Sequence, residues 1–424
     1  MRRRRLRDWP EQVLIVGGGR AGVAAAEELR RSGFRGSVTI LSAEPELPYH
    51  RPSCSKGLLT GHQRPSDVRL RLDGCVEVGW CLGRRATRLD AVARVVETDT
   101  GESYPYDGLV VATGSNAVGP RDWPIGEPGL HLLHALPDAW ALRADLRYAE
   151  RVAVVGAGLT GCETACAVRM LARDCVVIDT NPQVMTRAVG ELVGGFITEE
   201  IRRDGVDLRL GRRVSEISRR RRGWRLVLDD GSEVTADVVV ATTGERPETS
   251  WLAEVAGLDI SDGVLCDESL RVVGANGVVA AGGVARWPNP RYDSKPRRCD
   301  QWIAAMEHGR AAARTLLAGD RPVPPVMLLS RFWSEQFGLR IQGAGELDPD
   351  AEIHLTELRP GRRDVARAGV MASYLVDDQL VGLLAVNAPR AFSSVTRALL
   401  AAPQPAPAPS WNGRRMLAAV GYGD

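Results

Sequence analysis

Short apolar runs, each leading straight into a glycine-rich turn, recur along this chain. Val13-Leu14-Ile15-Val16 has the uninterrupted apolar character of a parallel strand covered on both faces. It leads into Gly17-Gly18-Gly19-Arg20-Ala21-Gly22 and an Ala/Glu/Leu-rich helical stretch to Arg30. In a strand–GxGxxG–helix unit the first glycine permits the tight turn and the second lets backbone approach a pyrophosphate. The third lets the helix pack on the strand. The helix N-terminus then turns its partial positive charge toward the phosphates. The next strand, Val38 to Leu41, is followed by Glu44, 22 residues beyond Gly22, where a carboxylate can accept hydrogen bonds from a ribose diol.

The same pattern returns further along. Arg151-Val152-Ala153-Val154-Val155 runs into Gly156-Ala157-Gly158-Leu159-Thr160-Gly161 and a second helix, and the strand Cys175-Val176-Val177-Ile178 ends at Asp179, 18 residues past Gly161. A single GxGxxG arises by chance in glycine-rich sequence, but two with strand, helix and acid all in place predict two dinucleotide sites. A carboxylate at 179 repels the 2′-phosphate of NADPH and pairs with the 2′-hydroxyl of NADH, which favours NADH, with Arg187 close by in sequence. Two further buried strands end in small-residue turns: Tyr106 to Ser115, containing Ala112-Thr113-Gly114, and Val238 to Gly244. Their spacing echoes that of the fingerprints. One dinucleotide-binding plan is therefore repeated, with the second copy inserted in the first.

Composition narrows the class. At 424 residues the chain has room for about three domains. Its 44% hydrophobic and 25% charged residues are ordinary for a globular protein, and a net charge of +2 gives no argument for nucleic acid or an anionic membrane. No apolar run reaches 18 residues. The arginines between Arg2 and Arg7 lack the apolar stretch of an export signal and read as a solvated arm, so a cytoplasmic protein is expected. The eight cysteines (Cys54, Cys75, Cys81, Cys162, Cys166, Cys175, Cys266 and Cys299) form neither a CxxC nor a zinc-type double pair, so reduced thiols and no metal site are expected. Cys162 and Cys166, one helical turn apart, read as small packing residues. Only Lys56 and Lys295 are lysines among 55 basic residues, which singles out a lysine inside a motif as a place where arginine does not serve.

Pro48-Tyr49-His50-Arg51-Pro52-Ser53-Cys54-Ser55-Lys56 resembles the PYxRPxLSK stretch of NADH-dependent ferredoxin reductases. These are of the putidaredoxin-reductase and dioxygenase-reductase type, within the glutathione-reductase-like flavoproteins. Further resemblances follow in family order: Ala112-Thr113-Gly114-Ser115, Gly156 to Glu163, Gly244-Glu245-Arg246-Pro247 and Ala280-Ala281-Gly282. Beyond them come Arg286-Trp287-Pro288-Asn289-Pro290, Phe332-Trp333-Ser334-Glu335-Gln336 and Ala385-Val386-Asn387-Ala388-Pro389-Arg390. The resemblance implies an α/β fold of two Rossmann-like domains plus a C-terminal α+β domain. The FAD domain would be 1–116 with 246–323, the NADH domain 117–245, an interface domain 324–402, and a Pro-rich tail 403–424.

It further implies FAD on Gly17, Gly19, Gly22 and Glu44, with the Ala86 backbone at the adenine. Arg51 and Lys56 would reach the pyrophosphate and isoalloxazine, and Thr113, Gly114, His134, Gly282 and Gly283 would line the same cofactor. Gly156, Gly158, Gly161, Asp179, Arg187 and Gly244 fall to NADH. Trp302 and Trp333 stand where the family sets groups against flavin or nicotinamide; core packing explains either equally well. Lys56 is expected to offset charge on the reduced ring, with Glu163 as its partner, though a carboxylate in a first helical turn is also favoured by the helix dipole. Electrons would leave to a [2Fe-2S] or similar ferredoxin serving an oxygenase, docked on a basic rim for which Arg297, Arg298, Arg310 and Arg331 are candidates. A monomer or homodimer is expected, with no nucleic-acid or membrane partner.

Three positions depart from the family pattern: Ala43 and His134 stand where an acid and an arginine are common, and Gly283 where an aspartate contacts the FAD ribityl chain. Two other readings stay open. One is a flavoenzyme acting on oxygen, a disulfide or an organic substrate, for which Cys54 is the thiol beside Arg51 and Lys56, a position that packing also explains. The other is a flavin-poor, non-catalytic NADH-binding scaffold.

Overall fold

The computed structural model describes residues 9–358, 369–377 and 379–401. The N-terminal arginine arm and the Pro-rich tail expected from 403 lie outside them. The chain divides into two compact units. Among the described residues, one takes in 9–50, Arg69–Asn116 and Arg246–Ser330; the other holds Arg51–Val68, Ala117–Glu245 and the described residues between Arg331 and Ala401.

The first unit is built on a five-stranded all-parallel sheet, ordered Val278–Ala280, Gly108–Val111, Gln12–Val16, Ser37–Ser42, Val78–Leu82. Val13 to Val16, Leu109 to Val111 and Val278 to Ala280 are all buried, as uninterrupted apolar strands in a parallel sheet must be. Each such Val, Leu or Ile adds about 1.5–3 kcal/mol by leaving water. The fingerprint helix Arg20–Arg31 buries Ala21, Gly22, Val23, Ala24, Ala25, Ala26, Glu28 and Leu29, and it packs along a second helix, Trp302–Ala318. The unit also holds an antiparallel three-stranded sheet (Ala86–Asp90, Val95–Thr98, Ser103–Pro105) and a small sheet of Val264–Leu265, Ala285–Pro288 and Pro296–Arg298.

The second unit repeats the plan. Its parallel sheet runs Asp207–Leu210, Asp174–Asp179, Arg151–Val155, Val238–Ala241, Leu130–Leu132. An antiparallel trio follows, Val214–Arg219, Trp224–Leu228, Glu233–Ala236, and a turn closed by the Arg220 N–H donating to the Gly223 carbonyl joins its first two strands. The C-terminal part is a five-stranded antiparallel sheet, ordered Arg331–Gln336, Leu339–Gly345, Gln379–Val386, Gly369–Val376, Glu352–Leu358, with the helix Pro389–Ala401 packed on it. The expected α/β architecture with a C-terminal α+β part is thus present. No helix among the described residues is long and apolar enough to cross a membrane.

Candidate active site

In each unit the fingerprint glycines, the acid and the small-residue turns follow the carboxyl ends of the parallel strands, where open α/β sheets bind ligands. In the first unit, Gly17 follows Val16, Glu44 follows Ser42, Thr113 and Gly114 follow Val111, and Gly282 and Gly283 follow Ala280. Gly17 has φ +121°, and a Cβ there would stand 2.0 Å from the Ala112 carbonyl oxygen; a Cβ on Gly22 would stand 2.0 Å from the Gly17 oxygen. Those two positions are closed to any side chain. A Cβ on Gly19 meets nothing within 4 Å, so this turn opens onto the space a pyrophosphate needs. Glu44 accepts a hydrogen bond from the Tyr49 hydroxyl at 2.6 Å. Thr113 donates through Oγ1 to the Glu248 carbonyl at 2.7 Å. Ala86 begins the antiparallel sheet, and Trp302 begins its helix with the His50 ring edge-on at 5.0 Å.

The second fingerprint has the same geometry. A Cβ on Gly161 would stand 1.9 Å from the Gly156 oxygen, while one on Gly158, or on Gly244 at the end of Val238–Ala241, meets nothing within 4 Å. Asp179 ends its strand and braces the turn: Oδ2 accepts the Ala157 N–H at 2.6 Å, and Oδ1 accepts the Asn181 backbone N–H at 2.7 Å. Arg187 lies in the first turn of Thr186–Arg203. Both fingerprints therefore fit dinucleotides.

The second unit also holds a cluster that sequence only half foresaw. Lys56 Nζ lies 2.6 Å from Glu163 Oε2 and donates to the Pro52 carbonyl at 3.1 Å. Glu163 is buried in the first turns of the helix Leu159–Met170. It also accepts hydrogen bonds from the Ser55 hydroxyl at 2.5 Å and the Ser334 hydroxyl at 2.5 Å, and Ser334 in turn accepts from Gln336 at 3.0 Å. A buried carboxylate is tolerable only when so satisfied. Ser334 points inward from the strand Arg331–Gln336, and its neighbour Trp333, on the alternate face, is 40% exposed. Arg51 donates to the His134 carbonyl at 3.3 Å, and the His134 ring lies 3.5 Å from Glu245.

Sequence reasoning missed Ser55 and Ser334. Both sit inside the quoted motifs, but serine carries no periodic signal. Arg298, considered above for docking, is instead turned inward. It is 15% exposed and paired with Asp262 and Asp300. Cys54 is buried, and burial pushes the Cys75 thiol up to about 11 and the Cys162 and Cys266 thiols higher still, away from the reactive thiolate. Among the described residues no cluster of three or more His, Cys, Asp or Glu could hold a metal.

Two fingerprints, each on its own parallel sheet, define an oxidoreductase built for two dinucleotides. Residues 11–309 match the pyridine nucleotide-disulphide oxidoreductase family and residues 331–416 the reductase C-terminal domain. The chain is 36% identical over 392 residues to a terpredoxin reductase from a Pseudomonas species, covering 89% of this chain and 90% of that one. It is 31% identical over 394 residues to the ferredoxin reductase component of a chlorobenzene dioxygenase from Cupriavidus sp. (strain PS12), covering 91% of each. Among solved structures, the covalent putidaredoxin reductase–putidaredoxin complex aligns with a TM-score of 0.81 at 26% identity, over 92% of this chain and 93% of that one. The chain belongs to the pyridine nucleotide-disulphide oxidoreductase family and, within it, to the ferredoxin reductases that end in a reductase C-terminal domain.

Proposed function

We propose that this protein takes electrons from NADH and passes them through bound FAD to an iron–sulfur ferredoxin serving an oxygenase. The observation that carries this reading is the complete duplication of the dinucleotide site, in a chain whose relatives over nine-tenths of its length are named as ferredoxin or terpredoxin reductases. FAD, when bound, supplies the conversion of a two-electron hydride donor into single-electron deliveries, which no side chain performs. One NADH therefore serves two ferredoxins and releases one proton.

FAD is assigned to the domain of 1–116 and 246–323, on Gly17, Gly19, Gly22, Glu44, Thr113, Gly114 and Gly282. NADH is assigned to 117–245, on Gly156, Gly158, Gly161, Asp179, Arg187 and Gly244. In both, the helix N-terminus and the glycine turn offer N–H groups to a pyrophosphate. Lys56 presents a compact positive charge held in one direction by Glu163, which Ser55 and Ser334 fix in turn. Such a preorganised charge favours the reduced, more negative cofactor. The acceptor is a [2Fe-2S] or similar acidic ferredoxin, for which Arg297 and Arg310 on the first unit and Arg331 on the second are docking candidates. The protein works in the cytoplasm as a monomer or homodimer.

Asp179 gives this reading a direct test. Its carboxylate is fixed at the end of its strand by two backbone N–H groups, so a 2′-phosphate meets an immovable negative charge. With a [2Fe-2S] ferredoxin as acceptor, NADH is expected to give a kcat/KM at least about tenfold above NADPH, and Asp179→Asn to narrow the gap. Equal use of both nucleotides would contradict the role of Asp179. NADH oxidation just as fast with oxygen alone would contradict the ferredoxin.

A further inference from the structure

Gly283 is a glycine that its backbone does not require. The positive φ in this turn belongs to Gly282, at +78°, whereas Gly283 takes a conformation open to any residue. What excludes a side chain at 283 is a carboxylate from elsewhere: a Cβ there would stand 2.4 Å from Asp300 Oδ1. The placement of Asp300 is built. The strand Pro296–Arg298 pairs with Ala285–Pro288, setting Arg298 opposite Arg286. One guanidinium nitrogen of Arg298 then donates both to the Gly283 carbonyl at 3.0 Å and to the Asp300 carboxylate, at 2.9 and 3.0 Å to its two oxygens. The other side of the guanidinium is anchored on Asp262 at 2.8 Å. Arg298 thus fastens the Asp300 carboxylate to the backbone of residue 283.

The location gives that carboxylate a task. Gly282 and Gly283 follow the strand Val278–Ala280 at the carboxyl end of the first parallel sheet. A Cβ on Gly282 would stand 3.0 Å from Ala21 in the first turn of the fingerprint helix. This is the crevice in which a dinucleotide lies on such a sheet. The Asp300 side chain remains 41% exposed, and an ionised carboxylate is an acceptor-only group with about four acceptor sites. An acceptor-only group at the edge of a dinucleotide crevice matches the sugar hydroxyls of the ligand.

We propose that Asp300 is a cofactor-binding residue: its carboxylate, positioned by Arg298 in the space left by Gly283, accepts hydrogen bonds from the sugar-alcohol hydroxyls of FAD. This rests on the assignment of FAD to this unit. Gly283 and Asp300 are then a matched pair, one supplying the room and the other the charge.

The test is FAD release from the purified holoenzyme after dilution, followed by the fluorescence of free flavin, with the melting temperature of each flavin-free protein measured alongside. Asp300→Asn and Asp300→Ala are expected to release FAD about tenfold or more faster than wild type while melting within a few degrees of it. Gly283→Asp alone, which forces two carboxylates together, is expected to bind FAD worse than wild type. The exchange Gly283→Asp with Asp300→Gly is expected to recover most of the affinity, because it returns one carboxylate to one place. Release from Asp300→Asn and Asp300→Ala within twofold of wild type overturns the proposal. A fall in melting temperature that fully accompanies the loss of FAD, with no recovery in the exchange, also overturns it, since Asp300 would then serve only Arg298. A wild-type protein that carries and takes up no flavin is a separate result, which removes the FAD assignment itself.

Discussion

Replacing Lys56 by methionine is expected to slow reduction of the bound flavin by NADH by about a hundredfold or more, the usual effect of deleting one preorganised group that stabilises developing charge. Methionine keeps the length of the side chain and removes its charge. The ammonium is held by Glu163 at 2.6 Å and the Pro52 carbonyl at 3.1 Å, and the only other lysine in the sequence is Lys295. The change leaves Glu163 buried with its two serine donors, so the fold should persist with the pocket's charge made more negative. Lys56→Arg is not expected to rescue the rate, since a planar guanidinium does not fit a site shaped for a compact ammonium. Anaerobic stopped-flow at saturating NADH, following flavin absorbance, measures the effect directly. A rate within threefold of wild type would remove Lys56 from the chemistry and leave it a structural partner of Glu163.

A second large effect is expected in acid. His308 is fully buried on the helix Trp302–Ala318, with its ring edge-on to Trp287 at 4.1 Å between centroids. Burial pushes the imidazole down to about 3, a little opposed by the Gly282 backbone beside it. The folded protein therefore holds His308 neutral, while in the unfolded chain it takes a proton near pH 6.5. A depressed folded value places the contribution at high pH: it is present in full above about pH 6.5 and is lost as the pH falls toward about 3. Between those limits wild type should lose up to about 1.4 kcal/mol per pH unit relative to His308→Gln, which has nothing to protonate. Urea unfolding of both proteins at pH 7, 5.5 and 4 checks this, using the change in their difference, so that the carboxylates common to both cancel. A difference that stays constant across this range would show that His308 is protonated in the folded protein.

Much of the architecture could be seen in the sequence because its signals are local. An apolar run such as Val152 to Val155 next to Gly156-Ala157-Gly158 fixes strand, turn and helix within a dozen residues, and two such units predict two parallel sheets. Once the sheets form, Gly17, Glu44, Thr113 and Gly282 come to one edge because each follows a strand of the same sheet. What stayed hidden depends on meetings in space. Ser55 and Ser334 meet on Glu163 from 108 and 171 residues away, and hydroxyl residues leave no periodic trace of a buried destination. The grouping of Arg51–Val68 with the second unit follows from no composition shift. The helix Thr186–Arg203 is broken at Gly190, with φ +75°, and the Tyr374 hydroxyl reaches from the C-terminal sheet to the Val189 carbonyl at 2.7 Å; neither partner signals the other in sequence. Gly283 is the clearest case. Compared position by position it is a lost carboxylate; in space, the carboxylate of Asp300 stands beside it.

NADH is expected to reduce a flavin held by this chain, and the visible spectrum of the freshly purified protein measures that reduction. A flavin spectrum is expected that bleaches on anaerobic addition of about one equivalent of NADH and returns when ferredoxin is added. A colourless protein that neither takes up added FAD nor oxidises NADH in its presence would contradict it.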